Sequence, residues 1–390
     1  MKRFMEKASI LALSFVLTTA FSISSALPAM FQFYKNYSSS QVELLVSLPS
    51  IGIMSLLLFN SILERFLSER QMIILGLLLF SLCGLIPFFN QAYGLVFASR
   101  FIFGLGLGMM NPRAIAIISE RFQGRERVQM LGYRGSAEVV GMALLTLAVG
   151  QLLRFGWTTT FLVYTVGFIV LALYLLFVPY EKSKVDKHKY LKSAQKMTTK
   201  QVRLSILLAF IAGMIVCTNV AINLRIPSLV LQNKMGSAET ASLILSCMQL
   251  IGILAGVSFA SLVSLLKNRL LTVTGIVFGF SQVMIGFSSH IWFLSLSALL
   301  AGFAYSVSLT AVFHIVSEKI PAHLVNRATA IVVLGCSSGA SVSTFVLSLI
   351  GIISSVPTFI FSVLGVLMIA VSILAVFVTH QQNEEKDAIR

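Results

Sequence analysis

Charge is scarce in this chain, and negative charge is scarcest. Asp, Glu, Lys and Arg make up 11% of the 390 residues, with 14 acids against 29 Lys and Arg. A water-soluble domain carries about a quarter charged residues, so a soluble globular fold is excluded. The four cysteines, Cys83, Cys217, Cys247 and Cys336, lie inside apolar runs and none stands in a C-x-x-C pair. No metal site or disulfide framework is expected from them. A phosphate-binding Walker loop, an H-E-x-x-H helix and a nucleotide-binding glycine fingerprint are missing. Enzyme activity and a bound cofactor are therefore not expected. Without a phosphate-binding loop, energy for work would have to come from an ion gradient or from the substrate's own. The net charge of +15 is concentrated in short loops between apolar runs. That is the pattern of loops on the cytoplasmic side of a membrane, so no nucleic-acid partner is expected.

What is abundant is apolar sequence. Hydrophobic residues reach 57% and the mean hydropathy is +0.91. A transmembrane helix needs about 20 apolar residues. Polar breaks divide the chain into twelve such runs: 8–34, 41–63, 71–90, 93–118, 128–153, 158–179, 204–232, 238–266, 270–289, 291–317, 325–352 and 356–379. They are too long for barrel strands and would leave open edges in lipid, so helices are predicted. The first run, after Met1-Lys2-Arg3, continues to about Tyr34 and reads as an uncleaved span rather than a signal peptide. Alternate loops collect the basic residues, while the opposite loops hold only Lys35, Arg154 and Lys234. Both termini are accordingly expected in the cytoplasm of a multi-pass cell-membrane protein.

A basic stretch, Lys182 to Arg203, divides the spans six and six. The halves echo one another. Pro28 and Pro227, Gly76 and Gly275, and the loops Ser68-Glu69-Arg70 and Lys267-Asn268-Arg269 are each 199 positions apart, and Ser119-Glu120-Arg121 matches Ser317-Glu318-Lys319 at 198. The expected architecture is an all-α polytopic membrane protein with twelve transmembrane helices in two six-helix pseudo-repeat bundles. The bundles would be residues 1–180 and 204–390, joined by a basic cytoplasmic linker, 181–203. Duplicated six-helix units place substrate near the bilayer midplane between the halves.

Three local motifs carry a family resemblance. Span 4 reads Arg100-Phe101-Ile102-Phe103-Gly104-Leu105-Gly106-Leu107-Gly108, close to an R-x-x-x-G-x-G-x-G pattern. The loop between spans 2 and 3 keeps Glu64-Arg65 from a D-R pair, and span 6 opens on Gly156-Trp157. With these, the chain resembles the major facilitator superfamily of transporters, and bacterial drug/metabolite–proton antiporters among them. The resemblance implies a role for Arg100 in proton coupling and for Glu64 and Arg65 in a cytoplasmic gate. The chain departs from the pattern in span 5, where the glycine- and proline-rich motif has lost its proline, and in span 1, which has no acid.

The residues themselves point to further candidates. Arg134 and Glu138 stand four apart in span 5, on one helix face, at roughly 9 Å and 15 Å depth for 1.5 Å per residue. Glu138 is the one acid read as lying well inside a span, and an intramembrane ionisable residue is a functional-site hypothesis. A carboxylate held between desolvation and a neighbouring cation can change protonation when access switches. Alternatively, the two charges simply neutralise each other. Arg100, Gly104 and Gly108 share a face suited to close helix contact, with Arg100 on the order of 10 Å below the end of the span. Asn111 falls close to Arg100 around the helix. Arg113, after Asn111-Pro112, is expected at the cytoplasmic gate beside a kink. Asn219, Asn223 and Arg225 in span 7, with Gln249 and Tyr305, are expected in or near the substrate cavity, Arg225 with Glu43 or Glu138 as possible partners.

The expected function is secondary active transport: proton-coupled efflux of a small organic molecule by alternating access, with a small-molecule substrate, protons and the lipid bilayer as partners and a monomer as the unit. The alternative is a carrier, for uptake or exchange, of a small organic or inorganic anion, on the ground that Arg100, Arg113, Arg134 and Arg225 outnumber Glu138.

Overall fold

The structure is a computed structural model that describes residues 2–178, 197–321, 324–354 and 356–387. Most of the basic linker, and the side chains of Glu64 and Arg65, lie outside the described residues. Among the described residues all regular structure is helical, as lipid requires of a chain with no closed barrel. In chain order the helices are α1 (Lys2–Leu17), α2 (Leu27–Phe33), α3 (Ser39–Phe66), α4 (Glu69–Phe89), α5 (Tyr93–Arg121), α6 (Gly124–Leu152) and α7 (Val166–Phe177). After the linker come α8 (Thr199–Gln232), α9 (Ala238–Leu266), α10 (Leu270–Gly286), α11 (Ile291–Lys319), α12 (Val325–Ile353) and α13 (Pro357–Asp387). Among the described residues ten helical segments are long and apolar enough to cross a membrane, a pair bent by 47° supplies another crossing, and Leu270–Gly286 is a shorter apolar helix. Together these account for the twelve expected spans. Several begin at a reciprocal cap: Ser38 with Gln41, Ser68 with Gln71, Thr198 with Gln201 and Ser237 with Thr240.

The bent pair is span 1, expected as a single helical span over 8–34. It leaves α-geometry at Thr18 and runs as a 3-10 segment, Thr19–Ala26, before α2. The cause is legible in Thr-Ala-Phe-Ser-Ile-Ser-Ser. Hydroxyls of Thr19, Ser22 and Ser24 donate back to Val16, Thr19 and Phe21 carbonyls at 2.7, 2.8 and 2.5 Å, competing with the helix's own ladder. Pro28 then falls in the first turn of α2, where a missing N–H costs nothing. Its repeat counterpart, Pro227, lies inside the continuous α8. The two halves therefore differ most at their first spans. Span 6 also opens in a 3-10 segment, Thr158–Thr165, again with back-bonded hydroxyls on Thr159 and Thr160.

Helices approach closely where glycine removes the side chain. Gly104 of α5 faces the backbone of Pro49 in α3, and Gly339 of α12 faces Gly213 in α8. A Cβ at either position would overlap main-chain atoms, which is the small-residue packing expected of the span 4 glycines and found again in span 11. One apolar cluster gathers mostly residues before the linker, around Ile10, Phe80, Phe103 and Tyr164. A second gathers Leu208, Ile222, Phe278 and Val312. The first also takes in Leu224, Leu347 and Ile350, so the two helix sets meet along a packed seam.

Candidate functional site at the seam

Two helix pairs form the seam, α3 with α12 and α6 with α9. Along α3 and α12, Ser40 bonds to Ser348 at 3.0 Å, Ser47 to Thr344 at 2.6 Å, and Ser338 to the Met54 sulfur at 3.3 Å. Along α6 and α9, Ser246 donates to the Ala143 carbonyl at 3.0 Å, and Arg154, just past α6, pairs with Glu239 at 2.7 Å. All of these bonds lie in the parts of the helices farthest from the basic loops or near their middle. The 3-10 break of span 1 packs against α3 and α6 on one side and α8 and α9 on the other, which puts it at the centre of the seam.

Beside that break stands the Arg134–Glu138 pair. Gly141 of α6 lies against the Phe15 backbone, and Thr18, exposed at the break, donates to the Glu138 carbonyl at 3.1 Å. These contacts turn the Arg134, Glu138, Gly141 stripe toward α1. The Arg134 Nη2 meets Glu138 Oε1 at 2.5 Å, with the side chains 18% and 20% exposed. Glu138 is halfway along a 29-residue helix. The carboxylate is thus midway along its helix, held through one oxygen and incompletely buried.

A second ion pair crosses the seam. Arg225 of α8 reaches Glu43 of α3 at 3.1 Å, with Glu43 only 1% exposed. Glu43 is thus the one of the two acids offered to Arg225 by the sequence, Glu43 or Glu138, that lies against it. Its burial adds a second enclosed carboxylate in addition to Glu138. Nearby, Asn223 donates to the Asn219 carbonyl at 2.8 Å and Gln249 donates to Asn223 Oδ1 at 3.4 Å. The Asn219 side-chain oxygen is buried and has no hydrogen-bond partner. Three of the expected cavity residues are therefore brought together in one amide cluster, with an acceptor left open.

A model of the Major Facilitator Superfamily matches residues 10–232 and 208–390. The chain belongs to the Major Facilitator Superfamily. Its fold matches a bacterial homolog of the human lysosomal transporter Spinster, in an inward-facing and unoccupied crystal structure, with TM-score 0.77, 13% identity and coverage of 97% of this chain and 98% of that one. A D-xylose–proton symporter gives TM-score 0.76 at 16% identity, covering 96% and 97%. The nucleoside transporter NupG gives 0.74 at 12%, covering 96% and 98%. No curated protein matches the sequence. As a Major Facilitator Superfamily protein the chain is a secondary transporter of the alternating-access kind and not an enzyme.

Within this superfamily fold the remaining candidates separate. Arg100 is fully buried. It donates to the Leu45 carbonyl at 3.1 Å and to Ala20 at 3.0 Å, and its guanidinium lies 4.6 Å from the Phe103 ring centroid and 5.4 Å from that of Tyr164. It ties the 3-10 break to α3, supplying a donor to a carbonyl in the broken segment, and it makes no bond to Glu138. Asn111 is half-buried and so does not share the enclosed setting of Arg100. Tyr305 packs on Phe278, ring centroids 6.0 Å apart. Arg113 lies close to Glu69, which also faces Glu120 and Arg121, so the two echoing acidic-basic motifs meet on the basic face. Pro112 is carried within the continuous α5. One run, Gly335-Cys336-Ser337-Ser338-Gly339, spells the spacing of a hydrolase elbow. It lies inside α12 against α8, not on the strand-to-helix turn that chemistry needs.

Proposed function

We propose that this transporter exports a small organic molecule in exchange for protons, with Glu138 as the proton carrier. The observation that supports this reading is the Arg134–Glu138 pair halfway along α6, beside a broken span at the seam. With the proton on, Glu138 releases Arg134. With it off, the pair re-forms. Either change alters the charge on α6, the helix that packs against α9 of the other half. Charged groups at this depth are costly and rarely serve as filler.

The basic loops are assigned to the cytoplasm by their Lys and Arg content, and both termini with them. The seam bonds then close the outer side, and Glu43–Arg225 is the outer latch. The amide cluster of Asn219, Asn223 and Gln249 offers hydrogen bonds to a substrate and no net charge. Arg113 belongs to the cytoplasmic gate with its acidic neighbour Glu69. An anion carrier is less well supported, because Arg134 and Arg225 each face a carboxylate and Arg100 is enclosed among carbonyls and rings.

The test is flux in proteoliposomes of purified protein against a library of lipophilic cations, neutral amphiphiles, carboxylates and phosphates, with a pH gradient of either sign. Accumulation that follows the gradient for a cation or neutral compound is the expected result. Competition by carboxylates or phosphates, independent of the gradient, would reverse the assignment.

A further inference from the structure

Away from the seam, the second half carries a cavity that transport leaves unused. It lies on the basic face between the end of α9, the turn Lys267–Arg269, the start of α10 and the end of α11, and its volume is about 310 Å³. Its floor is apolar, formed by Leu270, Leu271, Ala311 and Ile315, the first three of them buried. Its rim is charged, with Lys267, Lys319, His314 and Glu318. His314 and Glu318 stand 4.0 Å apart, one helical turn from each other. The rim carries two lysines against one acid, so its formal charge is positive whichever form His314 takes.

Two further observations mark this as more than a solvated loop. Lys267 adopts φ +45°, a left-handed conformation that side chains other than Asn, Asp or Gly rarely take. Strain of this kind collects at ligand clamps. The arrangement is also peculiar to the second half. The first-half counterpart of Lys267-Asn268-Arg269 is Ser68-Glu69-Arg70, which enters α4 directly through a capping box and puts an acid in the turn.

An apolar floor under a cationic rim at a membrane-facing helix end fits an amphiphile with a negative head. We infer that this cavity binds the phosphate headgroup of an anionic phospholipid, with the phosphate between Lys267 and Lys319 and the glycerol and first acyl carbons on the Leu270–Ala311 floor. A free phosphate ion shares the head chemistry but has nothing to place on that floor. The inference stands independently of the proposed direction of transport and of Glu138.

The experiment measures lipid binding to the purified full chain by native mass spectrometry, with thermal unfolding in parallel. The probes are phosphatidylglycerol, phosphatidylcholine and inorganic phosphate. Phosphatidylglycerol should bind and protect best. Juxtamembrane lysines each contribute enough that losing both lowers affinity on the order of 30-fold, so Lys267→Gln/Lys319→Gln should show that loss. Lys267→Gly relieves the backbone while removing the amine, so it should unfold no earlier than wild type without lipid and still lose lipid protection. Arg269→Gln removes the same charge from the same turn but not from the cavity lining, and should bind as wild type. Equal loss in Arg269→Gln, equal binding of phosphatidylcholine, or equal protection by inorganic phosphate would each overturn the inference.

Discussion

Replacing Glu43 with Gln removes one partner of the buried cross-seam pair while keeping its shape. Breaking such a pair from one side costs about 3–5 kcal/mol when the remaining charge stays buried. Here the remaining charge, Arg225, is 22% exposed, and water recovers part of that, leaving about 1–3 kcal/mol. The cost falls only on the state in which α3 and α8 touch, so the equilibrium between closed and open outer faces should shift roughly 5- to 150-fold toward open. Spin labels on Lys35→Cys and Asn233→Cys, on outer loops of the two halves, report that distance by pulsed electron resonance once the four native cysteines are replaced. Wild type should give a short distance, and Glu43→Gln a second, longer one or a full shift to it. The neighbouring serine and threonine bonds remain in place, so the change should be a redistribution and not unfolding. An unchanged distance distribution in Glu43→Gln, in a protein that still folds, would refute the latch.

Three other outcomes follow from the geometry. Arg100→Gln takes away the donors that hold the Ala20 and Leu45 carbonyls, and should cost about 2–4 kcal/mol of stability, read as a lower unfolding temperature in detergent, with Arg100→Lys recovering part of it. Gly339→Leu pushes a side chain into the Gly213 backbone, and the α8–α12 contact cannot absorb it. Fluorescence size-exclusion should show aggregated or absent protein. Arg154→Ala removes the exposed Arg154–Glu239 pair and should leave both unfolding temperature and flux unchanged.

Much of the fold could be read from the chain because hydrophobic length and loop charge are strong signals in a membrane. Each of the twelve apolar runs corresponds to a helix or a bent helix pair among the described residues, and Gly104 of span 4 packs as its spacing suggested. The break in span 1 was missed because apolar length says nothing about local ladder competition. Its cause, a run of Thr and Ser that bond backward, was visible but was counted only as polarity. Arg134 with Glu138 followed from helical spacing alone. For Arg225 the sequence offered Glu43 or Glu138, and the choice between them depends on how α3 and α8 meet. Arg100 was expected in proton coupling; two carbonyls meet it, Ala20 in the broken span and Leu45 on α3, where Pro49 four residues on has no N–H to offer. Local pairs can be inferred from a sequence's periodicity, whereas pairs across helices wait on packing.

The most direct test of the central claim compares wild type and Glu138→Gln in proteoliposomes for one transported compound. Two modes are measured: substrate exchange at equal pH on both sides, and uphill movement driven by a pH gradient. If Glu138 carries the proton, the variant should retain binding and exchange and lose gradient-driven accumulation. Gradient-driven accumulation equal to wild type in Glu138→Gln would contradict the account.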